Sequence, residues 1–165
     1  FIKEENADQA KWVEDLLRRS EFQNIEQIVV LVLDHGVNNG HRLLEPVLPA
    51  VDCNAVNPTW GTHDDHGHGT LMAGTAAYGD LLDSIRNNRP LIVRHGLESA
   101  KILPPPPEAN PSRLWGHFTD QGVRRAEIQA THQTRIICMA VTSEEEPTRG
   151  RPTSWSGQID EMASG

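Results

Sequence analysis

Ile28-Val29-Val30-Leu31-Val32-Leu33-Asp34-His35-Gly36 decides the fold. Residues 28–33 are all apolar, four of the six are β-branched, and no polar position interrupts them. A strand that is apolar on both sides is one covered by helices on both faces, the setting of a parallel sheet. The run stops at an acid followed two residues later by a glycine, so Asp34 stands at the carboxyl end of the strand. In open parallel α/β sheets, binding crevices form beyond the carboxyl ends of the strands. Taken alone, this Asp reads more readily as an ordinary strand-ending turn.

Outward from that strand, apolar spacing alternates between the two periods. Residues 7–19 read as a helix, with Asn6 as cap, Gln9 completing a capping box, and Val13, Leu16 and Leu17 on one face. Residues 37–66 are rich in Asn, Pro, Gly and His and read mostly as loop. Residues 70–78 are helical in composition, with small side chains that permit close approach to a neighbour. Short strands are expected at 91–93 and 100–103, the second stopped by Pro104-Pro105-Pro106-Pro107, a stiff surface loop. A helix over 119–131 has Val123, Ala126, Ile128 and Ala130 as packing candidates. Residues 135–141 form another apolar strand, residues 143–152 a polar loop with Glu144, Glu145 and Glu146 as a solvated face, and Trp155, Ile159 and Met162 mark one side of a last helix. Trp12, Trp60, Trp115 and Trp155 are expected to pack, with loop residues Trp60 and Trp115 the better groove candidates. Strands alternating with helices imply α/β architecture: a mainly parallel sheet between two helical layers, a three-layer sandwich.

The totals set limits. A chain of 165 residues fits one domain or part of a larger one. Fifteen basic against 23 acidic residues give a net charge of −8, which argues against nucleic acid or an anionic membrane as partner. No apolar run approaches the roughly 18 residues of a membrane span, and Phe1-Ile2-Lys3-Glu4-Glu5-Asn6 has no signal-peptide character. Of the two cysteines, Cys138 sits in the apolar run Ile136-Ile137-Cys138-Met139-Ala140-Val141 and reads as a buried, reduced thiol, from which a cytoplasmic location is expected.

A second cluster, His63-Asp64-Asp65-His66-Gly67-His68-Gly69-Thr70, leads directly into Leu71-Met72-Ala73-Gly74. By itself it is a solvated loop, a structural turn, or a metal site using His63, Asp64, His66 and His68. Together, Asp34-x-Gly36 after an apolar strand and His68-Gly69-Thr70-x-x-Ala73-Gly74 opening a small-residue helix closely resemble the subtilisin-like serine proteases. The resemblance runs from about residue 28 to 163 and includes Val32-Leu33-Asp34-His35-Gly36-Val37-Asn38, with looser likeness at residues 95–102 and 135–141. It implies that Asp34 and His68 are the aspartate and histidine of a Ser-His-Asp triad, and that Met139, Ala140 and Val141 lie on a strand that pairs with extended protein or peptide substrate.

Two departures stand out. His35 replaces the family's usual Thr or Ser after the aspartate, where it is close enough to bond locally or perturb the pair. The family's G-T-S-x-[AS]-x-P nucleophile motif occurs nowhere in the 165 residues; Ser154, Ser156 and Ser164 lack its context. The chain is therefore expected to be the N-terminal portion of a peptidase domain, residues 1–165, truncated before its serine, inactive alone, and partnered by the rest of that domain. No cofactor is expected; calcium is implied by the resemblance only, with no ligands to assign. Two rivals stay open: a non-catalytic pseudo-protease acting as an interaction module, and a metal-dependent hydrolase built on the His63-Asp64-His66-His68 cluster.

Overall fold

A computed structural model describes residues 6–142 and 151–164. The expected acidic face at Glu144–Glu146 and the capping side chain of Asn6 lie outside what is described. Helix α1 (Asn6–Arg18) is followed by strands β1 (Ser20–Phe22) and β2 (Ile28–Asp34), then β3 (Cys53–Ala55). Helices α2 (His68–Tyr78) and α3 (Leu82–Asn87) precede β4 (Leu91–Val93) and β5 (Gly96–Lys101); α4 (Trp115–Gln129), β6 (Thr134–Cys138) and α5 (Ser154–Ser164) complete the order.

The main sheet has the order β3-β5-β2-β6, and all its pairings are parallel. β2 is central, as its uninterrupted apolar run requires. Alternate side chains of a strand point to opposite faces, and β2 feeds two cores accordingly. Val32 packs with Val37, Leu44, Leu48, Ala73, Ala77 and Leu97 on the α2 side. Leu31 and Leu33 pack with Ala100, Ile102, Val123 and Ala126 on the α4 side. The result is helix, parallel sheet, helix: the expected α/β sandwich. A separate two-stranded parallel sheet joins β1 to β4.

Several local expectations shift. The strand expected at 100–103 is β5 at Gly96–Lys101, every residue of it buried. Its polar Glu98, Ser99 and Lys101 mask it in the sequence. The loop over 37–66 contains an unexpected edge strand, β3, whose Cys53, Asn54 and Ala55 pair with Ser99, Ala100 and Lys101. In α4, Val123 and Ala126 are buried as expected, but Ile128 is 80% exposed. β6 ends at Cys138, three residues early, and as an edge strand it leaves Ile136 and Ile137 exposed. Among the described residues, no helix is long and apolar enough to cross a membrane.

Candidate active site

The last residue of β2 supplies the centre of the site. Asp34 is buried and its carboxylate is shared by two imidazoles. Oδ2 lies 2.8 Å from Nδ1 of His68. Oδ1 accepts the backbone N–H of His35 at 2.8 Å and lies 3.1 Å from His35 Nδ1. A carboxylate only accepts, so each ring nitrogen facing it carries the proton.

His68 arrives there because Asp64 organises the turn before it. Asp64 Oδ1 accepts the N–H groups of His66 and Gly67, at 2.9 and 2.8 Å. Oδ2 accepts Thr70 N–H at 2.8 Å and the Thr70 hydroxyl at 2.7 Å. These bonds satisfy donors that a helix start leaves open. Burial works to raise the Asp64 carboxyl, but the four donors outweigh it and hold the carboxyl below its ordinary value. The next residue fastens the loop to the sheet. Fully buried Lys101, opposite Asp34 in the β2–β5 register, pairs with Asp65 and donates to the His63 carbonyl at 2.8 Å. The Lys101 hydrogen bond holds the Asp65 carboxyl low as well.

Two glycines allow the approach. A Cβ on Gly69 would come 2.1 Å from the Gly36 carbonyl oxygen and 3.1 Å from Asp34 Cβ. Gly36 has φ +98°, and a Cβ there would lie 2.4 Å from the Thr62 carbonyl oxygen. No other residue fits either place without moving backbone.

A cavity of about 520 Å³ opens beside the pair. Asp34, His35, His66 and His68 line one end, and Pro104, Pro106, Pro107, Trp115, Phe118 and Trp155 line much of the rest. The aromatic wall is pinned by hydrogen bonds. Trp155 Nε1 donates to the Thr119 hydroxyl at 3.0 Å, that hydroxyl donates to the Trp115 carbonyl at 2.9 Å, and Trp115 Nε1 donates to the Asn110 carbonyl at 3.1 Å. The two indoles meet edge-on, with centroids 5.3 Å apart.

The structure thus brings Asp34 and His68 together. Of residues 139–141, Ala140 and Val141 line the cavity, while Met139 packs against the Leu31–Leu33 core. Trp115 reaches the cavity, as a loop candidate was expected to, though it opens α4; Trp60 packs near Phe118 instead. Trp155 and three of the four prolines, expected to pack or to lie on the surface, line the cavity too. The available signal was position: the prolines follow directly on the carboxyl end of a strand. Each member of the His-rich loop has its own partner. His63 Nε2 lies 2.9 Å from Asp65, Asp64 caps α2, the His66 ring lies against His35, and His68 meets Asp34. Among the described residues, no three His, Cys, Asp or Glu side chains converge as a metal-holding group.

An acid joined to an imidazole beside an apolar cleft is equipment for acid–base catalysis. Residues 26–165 match the Subtilase family, Peptidase_S8. The chain belongs to this family of serine proteases, as the resemblance of its Asp and His segments implied. No curated protein and no solved structure matches the chain.

Proposed function

We propose that the chain is the front part of a serine endopeptidase domain, with Asp34 and His68 as two members of its triad and the serine on a later segment. The observation that carries this is the 2.8 Å contact between His68 Nδ1 and buried Asp34 Oδ2. It leaves Nε2 of a ring whose side chain is 47% exposed for the nucleophile. The serine Oγ attacks the peptide carbonyl while its proton passes to Nε2. The resulting imidazolium is stabilised by Asp34 and protonates the departing amine. Water then cleaves the acyl-enzyme by the same shuttle. Residues 139–141 run on past the paired part of β6 and are the proposed backbone partner of an extended peptide. The Pro, Phe and Trp walls of the cavity favour an apolar substrate side chain. The proposed cytoplasmic location rests on the two free thiols.

Without the serine, about a millionfold of catalysis is missing, the factor measured in subtilisin itself. The 165-residue chain is expected to leave casein intact and to ignore a fluorophosphonate probe. A longer form continuing through a G-T-S-x-[AS]-x-P serine is expected to do both reactions. Stoichiometric labelling of the short chain would contradict the proposal.

A further inference from the structure

We propose that His35 is a positioning residue that sets the orientation of the Asp34 carboxylate for His68, with His66 steadying the His35 ring. The proposal deepens the protease reading and rests on it. Two donors of one residue, the backbone N–H and ring Nδ1–H of His35, converge on Oδ1 at 2.8 and 3.1 Å. Together they fix the carboxylate about its χ2 torsion, a broad and soft one in the absence of partners. Oδ2 is then presented to His68 at 2.8 Å. The His35 ring is itself held: its centroid lies 4.2 Å from that of His66, and the His66 backbone is fixed through Asp64.

The charged and titratable groups around this set come from four other places. Lys101 on β5 is engaged by Asp65, Cys138 on β6 lies within electrostatic reach of Asp34, Glu108 lines the same cavity from the proline loop, and Asp64 is consumed by α2. The Asp34 oxygens make their closest contacts with the two histidines. A hydroxyl at position 35 offers one short donor; an imidazole offers a rigid ring that reaches the same oxygen and is also clamped by a neighbour. Losing one hydrogen bond to a charged acceptor shifts an equilibrium by roughly tenfold or more.

The test needs no serine and uses the chain as it is. In ¹H–¹⁵N spectra of histidine-labelled protein, the His68 Nδ1 proton on a carboxylate gives a low-field resonance protected from exchange with water. Asp34→Asn is expected to remove its low-field position. His35→Ala, which keeps the backbone donor, is expected to speed exchange of that proton about tenfold, and His35→Asn, which restores a side-chain N–H, to recover most of the protection. His66→Ala is expected to fall between, and provides the readout should His35→Ala fail to fold. A resonance that responds to Asp34→Asn but not to His35→Ala or His66→Ala overturns the positioning role and leaves the protease reading intact. A resonance indifferent to Asp34→Asn overturns the pairing on which both depend.

Discussion

Asp64 stands outside the proposed reaction, yet the placement of His68 depends on it. Four hydrogen bonds to one buried carboxylate hold the turn that launches α2. Asp64→Asn keeps the shape and loses the charge. It is expected to cost about 2 kcal/mol near pH 7 in urea unfolding. The sign with pH follows from the depressed carboxyl. In the unfolded chain this group titrates near 3.8, and in the folded chain lower. Its stabilisation is complete above the unfolded value and fades as pH falls from there through the folded one. The gap between wild type and Asp64→Asn therefore narrows below about pH 4. A gap constant from pH 7 to pH 3 contradicts the role given to the charge. At this scale the sequence was legible where a residue type is demanded by geometry: Gly69 and Gly36 sit where a Cβ meets backbone, and Asp34 and His68 flank them. Residue chemistry alone does not separate His63, His66 and His68, but the motif does: only His68 opens His-Gly-Thr-x-x-Ala-Gly, and the fold brings that ring to Asp34.

β2 and α2 announced themselves through composition, since one is apolar throughout and the other small-sided. β5 did not, because its middle carries charges that are neutralised by residues far along the chain. Glu98, buried in β5, takes a two-pronged ion pair from Arg135 of β6, Nε to Oε2 at 2.6 Å and Nη2 to Oε1 at 2.8 Å. Hydrogen bonding to Glu98 raises the Arg135 guanidinium. The same guanidinium donates to the Ala126 and Ala130 carbonyls at the end of α4, at 2.9 and 2.6 Å. Breaking a buried pair from one side leaves an uncompensated charge, so Glu98→Ala is expected to cost about 3–5 kcal/mol. The double change Glu98→Met with Arg135→Met is expected to recover part of that loss, and only part, because two helix-end carbonyls lose their donor. Urea unfolding of the single and double variants checks this. Strictly additive effects would contradict the coupling between the strands. The misplaced end of β6 has a related cause. Apolar residues continue to Val141, but ladder pairing with β2 stops at Cys138, opposite Val32, and composition alone carries no information about where a partner strand ends.

Across the whole molecule, the parallel sheet collects its chemistry at one rim. β2 ends in Asp34, β5 ends in Lys101 and leads into the proline loop, and residues 140–142 follow β6 into the same cavity. In β6, Ile136 is 57% and Ile137 46% exposed, and among the described residues this strand pairs on one side only, an edge of the kind that other strands pair with. In the proposed function, a longer form of the protein sets its serine against His68 at this rim. Catalysis in such a triad is graded. In subtilisin, loss of the histidine costs about a millionfold in kcat and loss of the aspartate alone about 3 × 10⁴. The most direct measurement is therefore peptide hydrolysis by a serine-bearing longer form carrying either His68→Ala or Asp34→Ala. The account predicts losses of about a millionfold and about ten-thousandfold, in that order. Hydrolysis that survives His68→Ala within tenfold of wild type contradicts it.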